Sequence, residues 1–395
     1  MPKDHVVTHY TTTPLQDQMT AWRHDFHRHP ELGFDETRTA ARVGDLLESW
    51  GIEVHRGIGR TGVVGVLRRG TGPASIGLRA DMDALPITEA NSFDYISQNK
   101  GVMHACGHDG HTSMLLGAAQ HLAQHGTFDG TVVFIFQPNE EHGQGAPAMI
   151  ADGLFDQFPV DQVFAIHNMP GMETGHIAMR VGPMTAAESL FEITINARGG
   201  HAALPHMGVD AIVVGAQIVN ALQTIVSRKL NPGLNGVVSV TEFIADGSRN
   251  VLPGTATLKG DARALTPDTN KTIEMRMRQI VAGICAAHDV TAEVSYNTIF
   301  PPTINSVDAV RMAATAGRAV FGDDHVDDTC APKLFSEDFA HMASAGQGCF
   351  LLLGNGTTGA HARTLHSADY DFNDAALAAG SSFWVTLVEQ TLVTA

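Results

Sequence analysis

The feature that most constrains the fold is a series of short, continuously apolar segments that alternate with helix-patterned ones. Ala74–Leu78, Thr131–Phe136 and Val163–His167 are apolar almost throughout, and Thr37–Trp50 shows apolar residues at helical spacing between polar ones. A strand that is apolar along its whole length is buried on both faces, as in sheets that carry helices on each side. The first half of the chain therefore predicts an α/β layer architecture.

The pattern changes near Glu188. Phe191–Ala197 alternates apolar and polar residues, which is typical of a strand with one buried face. The segments that follow it are predicted in chain order as helix, strand, strand, helix and strand: Asp210–Val226, Gly236–Phe243, Thr255–Ala264, Asp268–Ala287 and Thr291–Tyr296. We predict an inserted α+β domain over 188–297, with 1–187 and 298–395 forming the other domain. Two domains also suit a chain of 395 residues.

Charge and cysteine usage restrict the functional classes. The net charge is -17, from 25 basic and 42 acidic residues, which argues against nucleic-acid and anionic-membrane partners and favours a small-molecule substrate. No uninterrupted apolar run approaches the roughly 20 residues of a membrane helix, and Met1–Tyr10 lacks a secretory pattern. The four cysteines show no framework spacing, as in a reducing cytosol. We expect a cytoplasmic protein.

Residues of metal-binding type follow the predicted strands. The strand Ala74–Leu78 is followed by Asp81 and Asp83, and the strand Thr131–Phe136 is followed by Glu140-Glu141. The strand Val163–His167 ends at His167, and the predicted strand Cys349–Leu353 is followed one loop later by His366. A further loop, 104–111, has the sequence HACGHDGH and opens a helix. Functional groups gather outside the carboxyl ends of strands in α/β sheets. Their recurrence at successive strand ends predicts a metal centre.

Each of these features also has an ordinary structural explanation when taken singly. An isolated histidine is more often a hydrogen-bonded structural residue, paired glutamates are usually solvated, and Asp-x-Asp occurs in turns. Cys106 could be a small buried apolar residue instead of a ligand. The chemistry of amide hydrolysis nonetheless needs such a set, because metal ions lower the pKa of water and a carboxylate must carry its proton. Of the adjacent pair, Glu141 suits a ligand and Glu140 a base.

Several motifs together resemble the M20 metallopeptidase family, in its aminoacylase and hippurate-hydrolase branch, to which auxin-conjugate hydrolases also belong. The motifs are MHACGHDGHT at 103–112, HPELGF at 29–34, QPNEE at 137–141, GGHAALPH at 199–206 and RNVLPG at 249–254. The resemblance spans nearly the whole chain. It implies a catalytic domain with a mixed sheet of the phosphorylase/hydrolase-like type and an inserted ferredoxin-like lid or dimerisation domain.

The same resemblance implies the roles of particular residues. The implied metal ligands are Cys106, His108, Glu141, His167 and His366. Glu140 is implied as general base. The ions are expected to be two divalent metals, and a site with one thiolate, imidazoles and a carboxylate is compatible with Mn, Zn, Co or Ni.

One early position departs from the wider family. That family has a His-x-Asp at the end of an early strand, whereas Asp81 and Asp83 stand at the matching positions here. The resemblance implies that Asp83 orients a ligand. Whether Asp81 touches a metal is left open.

The inserted domain carries two further candidates. The resemblance implies that His201 polarises the substrate carbonyl in an active site, often that of a partner subunit, although it could simply cap a turn. Asn250 resembles a substrate-contacting residue. The family likeness also implies a homodimer or a dimer-based tetramer.

These inferences predict a metal-dependent amidohydrolase that cleaves N-acyl amino acids, such as hippurate or N-acetyl amino acids, to a carboxylate and a free amino acid. The alternatives are a dipeptidase or carboxypeptidase, an N-carbamoyl amino acid hydrolase, and a catalytically silent metal-binding homologue.

Overall fold

The computed structural model describes residues 13–393, so the prediction for Met1–Tyr10 lies outside the described part. The chain divides into two compact units. The first comprises the chain up to Met184, Ile304–Ala331 and the chain from Asp338 onward. The second comprises Thr185–Thr303 and Pro332–Glu337, and the predicted segment 188–297 lies within it.

The α-helices in chain order are α1 (Thr13–Arg28), α2 (Thr37–Ser49), α3 (His108–His125), α4 (Gly145–Ala151), α5 (Leu154–Gln157), α6 (Ala211–Thr224), α7 (Pro267–Ala287), α8 (Val307–Phe321), α9 (Phe339–Gly346) and α10 (Ala375–Thr391). The strands in chain order are β1 (Glu53–Ile58), β2 (Gly62–Arg69), β3 (Ser75–Asp81), β4 (Gly130–Gln137), β5 (Gln162–Pro170), β6 (Ile177–Ala178), β7 (Gly182–Thr185), β8 (Ala187–Asn196), β9 (Gly200–His201), β10 (Gly236–Ala245), β11 (Val251–Leu252), β12 (Thr255–Ala264), β13 (Thr291–Phe300), β14 (Thr303–Asn305), β15 (Val326–Asp327) and β16 (Cys349–Gly356).

The first unit is built on an eight-stranded mixed sheet with the order β1-β2-β4-β3-β5-β16-β6-β15. The four central strands, β4, β3, β5 and β16, run parallel to one another, whereas β1 and β2 pair antiparallel at one end. Helix α3 packs against both α1 and α10, and most of its side chains are buried. The predicted α/β architecture with a mixed sheet is confirmed. The central strands are buried along their length, as their apolar sequences predict.

Strand β1 does not follow from the apolar pattern. Its residues are half-buried or exposed because it is the end strand of the sheet and pairs only with β2. A strand at this position has no second sheet neighbour, and so the continuous apolar signal of the central strands is missing.

The second unit contains a four-stranded antiparallel sheet with the order β10-β12-β8-β13. Strands β8 and β12 alternate buried and more exposed side chains, as a sheet with one covered face requires. Helices α6 and α7 pack on it through a separate apolar core that includes Phe191, Ile218, Leu258 and Met277.

One segment of this unit resembles a membrane helix in length and composition. Ala211–Lys229 has a mean hydropathy of 1.3 over its most apolar window, of which 33% is buried. Gln217, Asn220 and Gln223 interrupt its apolar residues, so the segment is not an uninterrupted apolar run. Its buried residues, among them Val214, belong to the core of the second unit. Helices in the cores of folded domains can have the same length and hydropathy. These two properties are therefore weak evidence for a membrane span.

Candidate metal centre and active site

The parallel strands bring the predicted site residues to one edge of the sheet. Asp81 is the last residue of β3, Gln137 is the last residue of β4 and pairs with it, and His167 lies near the end of β5. The carboxyl ends of parallel strands lie on the same side of a sheet. Residues that are far apart in the sequence therefore meet here.

All five predicted ligands belong to two overlapping groups in this place. One group is Cys106, His108 and His167, and the other is Cys106, Glu141 and His366. Within each group the candidate ligand atoms lie within 4.8 Å of one another. Cys106 is common to both groups, so its sulfur is placed to contact two ions.

Individual distances show how close the ligand atoms are. Cys106 Sγ lies 3.4 Å from His167 Nε2. Glu141 Oε1 lies 3.3 Å from His366 Nε2 and 3.9 Å from His108 Nε2. Cys106, His108 and His167 are buried, whereas His366 has 52% of its side chain exposed. The cluster is therefore closed on the protein side and accessible from the side of His366.

The loop that carries Cys106 and His108 depends on a glycine. Gly107 has φ 93°, and a Cβ there would lie 2.4 Å from Asn168 Oδ1 and 2.6 Å from the hydroxyl oxygen of Tyr370. Helix α3 begins directly after it, which places His108 on the first residue of the helix. The His366 N–H donates to the carbonyl oxygen of Ala105 at 2.8 Å. This bond ties the distant His366 to the Cys106 loop.

Hydrogen bonds fix the tautomers of two imidazoles. His108 Nδ1 lies 2.8 Å from the carbonyl oxygen of Asp83, and His167 Nδ1 lies 2.7 Å from the carbonyl oxygen of Asn168. Because a carbonyl oxygen can only accept, each Nδ1 donates, and each neutral ring keeps the lone pair of Nε2 for a metal.

Two buried polar atoms of the predicted ligands also indicate that the site can hold cations. Among the described residues, His108 Nε2 and Glu141 Oε1 are buried atoms with no hydrogen-bond partner. Buried polar atoms normally have one. Bound metal ions would use the lone pairs of both atoms.

The pKa shifts of His167 and His108 also favour a bound cation. Burial holds the pKa of His167 well below its usual range, so that ring is neutral. At His108 burial also opposes the charged form, but the carboxylates of Asp81, Asp83 and Glu141 raise its pKa to about 10. A field that would hold a proton on His108 also favours a metal cation at the same nitrogen.

Glu140 and Asp83 lie beside the ligands. Glu140 is 6% exposed, and its carboxylate lies within 4.8 Å of the ligand atoms of His108 and Glu141. Asp83 Oδ1 lies 3.2 Å from His108 Nδ1, and Asp83 Oδ2 accepts from the Glu141 N–H at 3.0 Å. These are contacts that an orienting carboxylate would make. The two roles remain predictions.

The two candidates of the second unit are neighbours. Val251 pairs with His201 between strands β11 and β9, and Asn250 directly precedes it. The Ala203 N–H donates to His201 Nδ1 at 3.0 Å, which leaves the proton of the neutral ring on Nε2. The exposed His201 can therefore act as a hydrogen-bond donor.

Sequence reasoning missed several residues that support the centre. Asn168, Tyr370, Glu36 and Arg79 were not singled out, although Asn168 follows a predicted ligand and Glu36 follows the HPELGF motif. Their partners lie far away in the sequence. For Asn168 and Glu36, the available signal was this closeness in the sequence to a predicted ligand or motif.

Glu36 provides a pH-dependent prediction. Its buried carboxylate accepts from the Asn139 N–H at 2.8 Å, next to Glu140 in the chain, and from Thr61 Oγ1 at 2.6 Å. Burial raises its pKa from 4.5 to about 7. The native state then binds a proton more tightly than the unfolded chain, so stability falls as the pH rises between these values.

We expect Glu36→Gln to remove this loss, because glutamine keeps an acceptor oxygen and cannot ionise. Between about pH 5 and about pH 8, the unfolding free energy of the wild-type protein should fall by up to about 3 kcal/mol more than that of Glu36→Gln. Urea unfolding of chelator-treated protein measures it, since bound dications would favour the ionised form. Parallel pH curves for the two proteins would contradict the prediction.

Removal of His366 tests the second ligand group. Because its ring is largely exposed and lies 3.3 Å from Glu141 Oε1, His366→Ala should lower the metal content without unfolding the protein. Metal analysis of purified protein measures the change. His361→Ala is a matched control, since His361 is also partly exposed, lies in the same segment and belongs to neither ligand group. Equal metal content in both variants would remove His366 from the ligand set.

Several known proteins are similar to this chain. The family model for peptidase family M20/M25/M40 matches residues 77–390. The chain is 40% identical to the hippurate hydrolase of Campylobacter jejuni over 373 residues, which cover 94% of this chain and 96% of that one. It is 42% identical to the N-acyl-L-amino acid amidohydrolase of Geobacillus stearothermophilus over 296 residues, covering 74% and 79%.

A solved structure is similar over most of the chain. The Bacillus subtilis YXEP protein, a dinuclear metal-binding peptidase of the M20 family, superimposes with a TM-score of 0.84 at 30% identity. The match covers 96% of this chain and 99% of that one.

Proposed function

The chain belongs to peptidase family M20/M25/M40, and on that premise we propose that it is a metal-dependent amidohydrolase of N-acyl amino acids. The products are a carboxylate and a free amino acid. The observation that carries the proposal is the pair of ligand groups sharing Cys106, with the buried carboxylate of Glu140 beside them. The two curated relatives described above are named for this reaction class.

Each proposed residue has a separate task. Bound divalent ions supply Lewis acidity, which makes water a usable nucleophile near neutral pH. Glu140 accepts the proton of the attacking water and returns it to the nitrogen of the departing amino acid. Asp83 holds His108 and Glu141 in position through the contacts described above. His201, of the same chain or of a partner subunit, donates a hydrogen bond from its Nε2–H to the substrate carbonyl oxygen, and Asn250 contacts the substrate.

The proposed cofactors are two divalent ions. Cys106, His108 and His167 would hold one, and Cys106, Glu141 and His366 the other. Thiolate and imidazole ligands favour Zn, Co or Ni, and the carboxylate and imidazoles also accept Mn.

A substrate panel tests the function. Benzoyl-, acetyl- and carbamoyl-amino acids and dipeptides are assayed in parallel with protein loaded with Mn, Co, Ni or Zn. We expect benzoyl- or acetyl-amino acids to be cleaved fastest. Faster cleavage of dipeptides would favour a peptidase, and faster cleavage of carbamoyl compounds an N-carbamoyl hydrolase. Bound metal without turnover of any amide would favour a silent homologue.

We also propose that the second unit serves as a lid or dimerisation domain. Strand β10 is an end strand of its sheet, and its Phe243 and Ile244 side chains are exposed. Helix α6 exposes Ile212 and Val213 in the same unit. An exposed end strand with apolar neighbours can pair with a second copy of the chain. The remaining assignments, a cytoplasmic location and no nucleic-acid or membrane partner, rest on composition.

A further inference from the structure

Asp81 lies next to the metal centre but already has other partners. Its Oδ2 is 3.7 Å from His108 Nε2, and Asp81, His108 and His111 form a third group with ligand spacing. However, Asp81 Oδ1 lies 2.6 Å from His111 Nδ1, and Asp81 Oδ2 accepts from Arg79 Nη1 at 2.8 Å. Each carboxylate oxygen therefore already accepts a hydrogen bond.

Arg79 is held in place by a buried network. It is two residues before Asp81 in β3, so both side chains point to the same face of the sheet. Its side chain is 1% exposed, its Nε donates to Gln137 Oε1 at 2.8 Å, and its Nη2 lies 3.2 Å from Asp338 Oδ1. Asp338 in turn accepts from Gln137 Nε2 at 2.7 Å and from the Ala146 N–H at 2.9 Å. Displacement of the guanidinium would leave buried carboxylates without their positively charged partner, which is energetically costly.

We propose that Arg79 is a positioning residue that keeps Asp81 out of the metal coordination and thereby sets the metal preference of the centre. A guanidinium and a metal ion compete for the same carboxylate oxygen, and the charge-assisted bond to Arg79 is already made. The positive charge of Arg79 also opposes the approach of a metal cation to Asp81.

The metal preference follows from this exclusion. Without Asp81, the ligands are one thiolate, three imidazoles and one carboxylate, a set that suits thiophilic ions. A second carboxylate would shift the set toward Mn or Mg. Arg79 thus acts on metal choice through Asp81. The inference rests on the proposed function only in assuming a metal centre at this place.

The experiment measures bound metals and needs no substrate. Wild-type protein, Asp81→Asn, Arg79→Met and the double variant are stripped of metal, dialysed against equimolar Mn and Zn, and analysed by mass spectrometry. Circular dichroism checks that each variant is folded. We expect Asp81→Asn to bind two ions per chain with an unchanged Mn:Zn ratio. Arg79→Met should raise that ratio about tenfold because it frees a carboxylate ligand, and the double variant should return it to the wild-type value.

Two outcomes would overturn the inference: loss of one ion in Asp81→Asn, or an unchanged Mn:Zn ratio in a folded Arg79→Met. If Arg79→Met does not fold, Arg79→Lys replaces it, because one ammonium cannot reproduce the planar fork that joins two carboxylates. A failure of the proposed amide hydrolysis would leave all these metal measurements unaffected. The two failures are therefore distinguishable.

Discussion

Replacement of Glu140 by alanine is expected to remove nearly all amide hydrolysis while leaving the metal content unchanged. A positioned acid–base residue typically contributes on the order of 10²–10⁴ in rate. Glu140 lies beside the ligand groups, but the five ligand atoms assigned to the two ions come from other residues. The measurements are kcat with the best substrate of the panel and metal analysis of the same sample.

The adjacent glutamate supplies the matched control. Glu141→Ala should lower the metal content, because Glu141 Oε1 is a buried atom without a hydrogen-bond partner in the described part of the chain, 3.3 Å from His366 Nε2. The two variants differ by one position and should separate proton transfer from metal binding. Retained turnover in Glu140→Ala would remove that residue from the mechanism.

Replacement of Cys106 by serine should have the largest effect on the metals. Its sulfur belongs to both ligand groups, so one substitution weakens the binding of two ions. Partners that only orient ligands already contribute about 10–100-fold to metal affinity. We therefore expect Zn affinity to fall by more than about 100-fold, with a smaller loss for Mn, since serine oxygen is a harder ligand than thiolate. Competitive titration with a chromogenic chelator measures both affinities.

Cys285→Ser is the control for this substitution. Cys285 is a buried free thiol in the core of the second unit and lies in none of the ligand groups. The Cys285→Ser substitution should lower the free energy of unfolding without changing the metal affinity. Unchanged Zn affinity in Cys106→Ser would show that Cys106 is a small buried apolar residue, the alternative that its sequence neighbours allow.

The parts of the fold that could be predicted are those with a local physical signal. The apolar run Thr131–Phe136 corresponds to β4, because a strand buried on both faces excludes polar residues along its whole length. The alternating segment Phe191–Ala197 corresponds to most of β8, where one face is buried. Strand β1 had no such signal, since its burial depends on its place at the end of the sheet.

The candidate site shows the same division. The ligand set came from motif resemblance, and the structure brings these five residues together. The partners of Asp81 could not be predicted in this way, because Arg79 is connected to Asp338 across 259 positions of the sequence. Spacing along the chain carries no information about such a pair.

The sequence by itself determined the layer architecture, the residue types available for metal binding and the pair of adjacent glutamates. Burial patterns and ligand chemistry are properties of individual residues and short segments, and they can be recognised without a fold. Only the tertiary structure decided which way the lone pairs of these side chains face. The lone pairs of His108 and His167 face the cluster because carbonyl groups hold their other nitrogens, whereas the oxygens of Asp81 are engaged by Arg79 and His111. The physical reason is that hydrogen-bond competition depends on three-dimensional neighbours, which are set by the packing of the whole sheet.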